Sequence, residues 1–221
     1  MLRYALALRR HPSALLLGVQ LLGLLLYPLM EDTAAGRALF GAFGIVVLGL
    51  ALWVVNRSPS VLWIAWCLAL PSVVLSIAAA LHHSPQLGAF AQLLESLLYF
   101  YTAASLIAYM LQDHEVTRDE LYAAGATFTL LAWAFAFAFS VCQQWLPGSF
   151  IGAQTTQSPR TWMELLYLSF SVLSGVGLSD VLPVLPLARS LVMLEQFAGV
   201  MYIALVVSRL IGLSVTRKSR A

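Results

Sequence analysis

The sequence predicts an all-α integral membrane protein with six transmembrane helices and a re-entrant half-helix between the fifth and the sixth. Three observations predict it. Of 221 residues, 61% are hydrophobic and only 10% charged, whereas a soluble domain carries roughly 25% charged residues and about 45–50% apolar ones. The apolar residues gather into runs close to the ~20 that a helix needs to cross the hydrocarbon core. One further run is too short to cross and leads into a glycine-bearing segment. With so few charges the chain cannot coat a globule in water, which excludes a soluble enzyme, a disordered tail and a nucleic-acid-binding protein. Cys67 and Cys142 both lie inside apolar runs, so neither a disulfide framework nor a zinc cluster is implied.

The runs follow one another between polar breaks. The first, Ser13–Met30, stops at Glu31-Asp32, and the second, Arg37–Asn56, ends in the turn Asn56-Arg57-Ser58-Pro59. The third, Ser60–Leu81, meets His82-His83-Ser84-Pro85, and the fourth, Leu87–Leu111, meets Gln112-Asp113-His114-Glu115. The fifth, Leu121–Trp145, is closed by Pro147-Gly148, and the polar loop Ser149–Arg160 follows. Thr161–Leu173 is apolar but short, which reads as a re-entrant or interfacial segment rather than a span. It runs into Ser174-Gly175-Val176-Gly177-Leu178-Ser179-Asp180, and after Pro183 and Pro186 comes the last full-length run, Leu187–Leu213. Arg3, Arg9 and Arg10 precede the first run as in a signal peptide, but no small-residue cleavage site follows it, so a retained first helix is expected.

Orientation follows from the basic residues of short loops. With both termini on one side, that side holds Arg3, Arg9, Arg10, Arg57, Arg118, Arg209, Arg217, Lys218 and Arg220, against Arg37, Arg160 and Arg189 on the other. The termini are therefore expected to be cytoplasmic, with the half-helix entering from outside. Non-helical backbone at membrane depth is tolerated only where it is buried in protein or lines water. Gly175 and Gly177 admit conformations closed to other residues, so the segment is either a pore-lining loop or a re-entrant packing loop without a pore. In a pore, the carboxyl end of the short helix would turn its partial negative charge towards a cation.

The stretch from Tyr167 to Pro183 resembles the pore of tetrameric potassium channels, whose pattern is Y-F-S-x-x-T-x-T-T-V-G-Y-G-D-x-x-P. Tyr167, Ser169, Gly177, Asp180 and Pro183 match without a gap, and Val176 fills the hydrophobic filter position. The likeness continues through Pro186-Leu187-Ala188-Arg189-Ser190, Glu195, Gly199, Tyr202 and Ser208-Arg209-Leu210-Ile211-Gly212. It is similar to bacterial channels with a two-helix pore and four extra helices in front, and it is specific over Trp162–Leu213. The resemblance implies a homotetramer in a bacterial inner (plasma) membrane, with membrane lipid and its own copies as partners and no soluble partner. It implies a selectivity filter at Ser174, Gly175, Val176, Gly177, Leu178, Ser179 and Asp180, whose backbone carbonyls hold monovalent cations, K+ or Na+. No other cofactor, metal site or catalytic residue is implied.

The departures weaken potassium selectivity. Gly175 lacks the hydroxyl that the family's threonine lends to the innermost ion site, and Leu178 cannot brace the filter as the family's tyrosine does. Ser179 replaces a glycine, and a Cβ at a left-handed position would cost about 1 kcal/mol or more. A filter that replaces potassium's hydration shell depends on holding this backbone in place. The pore is thus non-selective, tuned to another ion, or closed. Support for the filter is expected from Trp162, Glu164, Arg189 and Glu195. Glu164 or Glu195 would hydrogen-bond Asp180 as the family's carboxylate does, or Glu195 would form a salt bridge with Arg189. Asp180 would form an outer carboxylate ring, and Gly199 sits where the family places its gating hinge, unless it is only a close-packing site.

Other polar residues narrow the function. The fourth run carries no arginine or lysine, so voltage sensing through that helix is excluded. Glu95, inside it, is either functional or held by a neighbouring helix. Trp53, Trp145 and Trp162 read as interface anchors, Arg209 as a snorkelling side chain, and the four histidines as loop residues. Gly177-Leu178-Ser179-Asp180 superficially resembles the G-x-S-G of rhomboid proteases, but no histidine follows His114 to serve as base. No enzyme is expected.

The chain divides into a cytoplasmic N-terminus (1–12), a four-helix region without voltage-sensor arginines (13–117), a pore domain (118–213, with pore helix 160–173 and filter 174–180) and a basic cytoplasmic tail (214–221). With so short a tail, any gating signal is expected through lipid, tension, pH or the filter itself. Two functions stand: a voltage-independent tetrameric cation channel with altered or reduced K+ selectivity, and a non-conducting, channel-derived scaffold or regulatory subunit. A transporter, which would show discontinuous helices in both halves, ranks last.

Overall fold

The computed structural model describes residues 12–30, 43–44, 46–53, 61–112, 117–153 and 159–212. The expected N-terminal segment, the tail, the polar clusters at 31–32 and 113–115, the Asn56–Pro59 turn and much of the second run lie outside the described residues. The chain is mostly helical. Helix α1 covers Pro12–Met30, α2 Leu62–His82, α3 Pro85–Gln112 and α4 Arg118–Trp145. After strand β1, Phe150–Gly152, come the short helix α5, Trp162–Leu173, strand β2, Val181–Pro183, and helix α6, Pro186–Tyr202. A π-helical turn, Ile203–Val207, continues α6, and helix resumes to Gly212.

Four of these helices are long and apolar enough to cross a membrane: Leu62–His82, Pro85–Gln112, Asp119–Trp145 and the continuous Pro186–Gly212. They coincide with the third to sixth apolar runs. At 1.5 Å per residue, the 21 residues of α2 extend about 31 Å, the thickness of the hydrocarbon core. Pro71 sits inside α2 without ending it, as proline can in a membrane helix. The 12 residues of α5 reach only about 18 Å. The expectation of an entirely α-helical chain is corrected by the β1–β2 pair, which runs antiparallel with Phe150 opposite Pro183, Ile151 opposite Leu182 and Gly152 opposite Val181. A second small correction concerns the His82-His83 break: His82 still belongs to α2, and His83 makes the turn in a left-handed conformation, φ 48°.

The described residues form two compact units. One takes the described parts of 1–65 and 206–221 with Thr102–Thr129, and the other takes Trp66–Tyr101 and Leu130–Leu205. In the first unit, polar side chains tie α1 to α4. Thr129 Oγ1 donates to Gln20 Oε1 at 2.7 Å and Ser13 Oγ to Asp119 Oδ2 at 3.0 Å. Gly125 faces Leu17 so closely that a Cβ there would lie 2.8 Å from its Cδ2.

The second unit packs around Phe135, Phe139 and Cys142 of α4, Phe150 of β1, Leu165 and Leu168 of α5, Val181 of β2, and Ala188 and Val192 of α6. Aromatic edges supply much of this interior. Phe100 meets Phe135 at 4.8 Å between ring centroids, and Phe139 meets Phe150 at 5.2 Å. Residues four apart lie on one helix face, and this spacing sets the α5–α6 contact. Glu195 meets Ser169, and one turn later on both helices Gly199 meets Leu173. The two helices therefore run parallel, side by side.

Candidate functional site

The site is built around α5 and the segment that follows it. At its start, Thr161 is an N-cap in extended conformation with a reciprocal capping box. The Glu164 N–H donates to Thr161 Oγ1 at 3.3 Å, and the Thr161 N–H to Glu164 Oε2 at 2.6 Å. Glu164 Oε1 takes Arg160 Nη1 at 3.1 Å. Gln143, on α4, clasps the Arg160 backbone with both ends of its amide. Its Nε2 donates to the Arg160 carbonyl at 2.8 Å and its Oε1 accepts from the Arg160 N–H at 2.9 Å. The helix entry is thus fixed twice over, to its own first turn and to α4.

Along its length α5 buries Leu165, Leu166, Leu168 and Ser169. The Ser169 hydroxyl reaches two oxygens, the Ala132 carbonyl of α4 at 2.7 Å and the Glu195 carboxyl of α6. Trp162 lies against Trp133 at 5.3 Å and Phe137 at 5.7 Å. It packs inside the unit, not as the interface anchor its sequence position suggests.

The helix ends in a glycine turn. The Ser174 N–H donates to Phe170 O at 3.1 Å, Gly175 N–H to Val172 O at 3.0 Å and Gly177 N–H to Ser171 O at 3.0 Å. Gly175 has φ 75° and Gly177 φ 72°, left-handed conformations that cost an L-residue about 1–2 kcal/mol. A left-handed glycine just beyond the last helical residue is a common way to terminate a helix. Gly175 therefore has a backbone reason to be glycine where the resembled pattern has threonine.

The next residues are open. Val176 is 62% and Leu178 69% exposed in the single chain. Among the described residues none donates a hydrogen bond to the carbonyl oxygens of Gly175, Val176, Gly177 and Leu178. The return limb is anchored again. The Ser179 hydroxyl accepts the Val181 N–H at 3.1 Å, Ala153 N–H donates to Asp180 O at 3.0 Å, and Val184 N–H to Ser149 O at 2.8 Å. These bonds and the β1–β2 pair bring the chain back to the end of α4 from which α5 set out. The segment thus goes in and comes out at the same level.

Three expectations are corrected here. Ser179 is not left-handed, since His83 is the one non-glycine with positive φ among the described residues. Its Cβ strains nothing, and its hydroxyl instead holds the return limb. Neither Glu164 nor Glu195 bonds the carboxylate of Asp180. Glu164 spends both oxygens on Arg160 and Thr161, and Glu195 turns inward to Ser169. The Glu195–Arg189 salt bridge does not form either, because Arg189 reaches back to donate from Nε to Pro183 O at 3.3 Å. Asp180 is exposed, and so is open to the mouth of the segment.

Reading the sequence also passed over two features. Arg160, counted with the loop charges, is buried. Ser169, a motif residue in the sequence, joins three elements, α4, α5 and α6. Thr161-Trp162-Met163-Glu164 carries the capping-box spacing, which marks the start of α5 next to Arg160 but not the burial of that arginine. Gly199 is buried where α6 crosses the end of α5, and a Cβ there would overlap the Leu173 carbonyl. This accounts for the glycine by close packing. Glu95 accepts from Ser76 Oγ of α2 at 3.4 Å, so a neighbouring helix does hold it.

Residues 125–214 match a family model described as an ion channel. The matched region runs from within α4 through α5, the open segment and α6. No curated protein and no solved structure matches the chain. The match supports the resemblance read in the residues: the part of the chain from α4 to the end of α6 is similar to an ion-channel domain, in a chain with four described helices long and apolar enough to cross a membrane.

Proposed function

We propose that four copies of this chain assemble into a voltage-independent cation channel. Their segments 174–180 surround a common axis. The observation that carries this reading is the open segment: four successive carbonyls, Gly175 to Leu178, that no described residue claims, held at both ends by a rigid frame. Rings of such oxygens can replace the water around a monovalent cation. The carboxyl end of α5 lies directly before them and adds negative potential.

Six transmembrane helices with both termini cytoplasmic complete the arrangement. K+ and Na+ both pass, because Gly175 offers no hydroxyl and Leu178 no brace. Asp180, exposed beside the segment, gives a ring of four carboxylates that gathers cations. The exposed apolar side chains of α6, among them Met193, Leu194, Phe197 and Val200, are covered by lipid and by neighbouring copies.

Native mass spectrometry of the purified protein, paired with cation flux into liposomes, tests the reading. Four copies and flux of both K+ and Na+ are expected. An intact tetramer that passes neither ion would make the chain a non-conducting scaffold, and a monomer would leave no axis to conduct through.

A further inference from the structure

Resting on that reading, we infer that Glu195 is a positioning residue acting as a neutral acid: its carboxyl O–H donates to the Ser169 hydroxyl oxygen, and the Ser169 O–H donates to the Ala132 carbonyl. One relay thereby fastens the helix before the open segment to both of its long neighbours.

The Ser169 hydroxyl has one hydrogen and can donate once. Two oxygens lie within hydrogen-bonding reach of it, Ala132 O at 2.7 Å and Glu195 Oε1. A peptide carbonyl only accepts, so the bond to Ala132 must use the serine hydrogen. A full second hydrogen bond to Glu195 then needs a hydrogen from the other side, which a protonated carboxyl supplies. If Glu195 were a carboxylate, the one serine hydrogen would have to serve both oxygens, and the buried charge would have no other donor.

The surroundings agree. Glu195 is 0% exposed and its second oxygen, Oε2, has no hydrogen-bond partner. No basic side chain among the described residues pairs with it, and Ser169 is its only hydrogen-bond partner there. Arg189, the nearest basic residue along α6, is engaged with Pro183. Arg160 is engaged with Glu164 at the far end of α5, and Asp180 is exposed on the return limb. A buried charge without a partner is expensive, whereas a neutral acid needs only the bond it makes.

The relay has a structural purpose. Glu195 and Gly199 share one face of α6, and they meet Ser169 and Leu173 one turn apart on α5. The acid sets the position of α5 along α6, while the bare glycine lets the end of α5 come into backbone contact. Together they fix the depth at which the open segment begins.

Infrared spectroscopy of the tetramer in lipid at neutral pH tests this. The carbonyl-stretch band of a protonated carboxylic acid is expected in the wild type and absent in Glu195→Gln. Ser169→Ala should shift that band, because its acceptor is gone, and this reading remains if Glu195→Gln does not assemble. Glu195→Gln keeps a donor in place, so its K+ and Na+ flux should match the wild type. Glu195→Leu, which fills the space but donates nothing, should change the K+/Na+ flux ratio. Loss of an ionised-carboxylate band in Glu195→Gln, or an unmoved acid band in Ser169→Ala, would overturn the assignment. The infrared result stands whether or not the protein conducts, so it fails separately from the channel reading.

Discussion

Gly175 and Gly199 both lie in the region similar to an ion-channel domain, but opposite physics requires them. At Gly175 the backbone is left-handed, φ 75°, and a Cβ would meet no atom within 4 Å. Substitution by alanine there is strained yet unobstructed, and should cost about 1 kcal/mol per copy. At Gly199 the added methyl collides with the Leu173 carbonyl, a backbone atom that cannot swing away. Gly199→Ala should therefore cost more, about 1–3 kcal/mol as overpacking does, and should displace the end of α5. Thermal unfolding of the purified variants gives the order: wild type, then Gly175→Ala, then Gly199→Ala. A Gly199→Ala protein as stable as wild type would remove the packing account and leave the hinge reading of this glycine. The residue scale also shows where reading one sequence stops. The glycine pattern of the open segment is local and was legible. The conformation of Ser179 was not, because a family pattern built on glycine carries no hydroxyl, and here that hydroxyl accepts the Val181 N–H.

Among the elements, α5 is the one whose position matters most and whose own length supports it least. Twelve residues form a marginal helix in isolation, so its stability must come from its ends and its neighbours. The Thr161–Glu164 capping box, the Arg160–Glu164 pair and the Gln143 clasp hold its start, and the glycine turn closes its end. Thr161→Ala should lower stability by about 1 kcal/mol per copy, the usual worth of an N-cap, and Glu164→Gln by less, since glutamine keeps the reciprocal bond. Thermal unfolding would show a larger shift for Glu164→Gln than for Thr161→Ala only if the Arg160 pair, not the cap, secured the helix. The long helices α2, α3, α4 and α6 were legible because hydrophobic length is written continuously along the chain. The β1–β2 pair was not: Phe150-Ile151-Gly152 is too short to declare a strand, and its partner lies about thirty residues on. The same distance hides the Ser169–Glu195 bond, which depends on two helices packing in parallel.

Taken whole, the molecule has a membrane composition, four described helices of spanning length, and one short helix whose following segment returns to the level at which the helix began. Its charge pattern suggested the membrane, and its glycine motif suggested the pore. The structure adds a frame that clamps α5 at its start, middle and end, leaving four carbonyls between clamps. In the proposed channel, assembly of four copies would turn those carbonyls into a path. Planar-bilayer recording of the purified tetramer under a KCl gradient, then with Na+ replacing K+ on one side, tests that path most directly. The account predicts currents that reverse near the cation equilibrium potential, with only a small further shift when Na+ replaces K+. Reversal at the chloride potential, or silence from a protein shown to be tetrameric and folded, would contradict it.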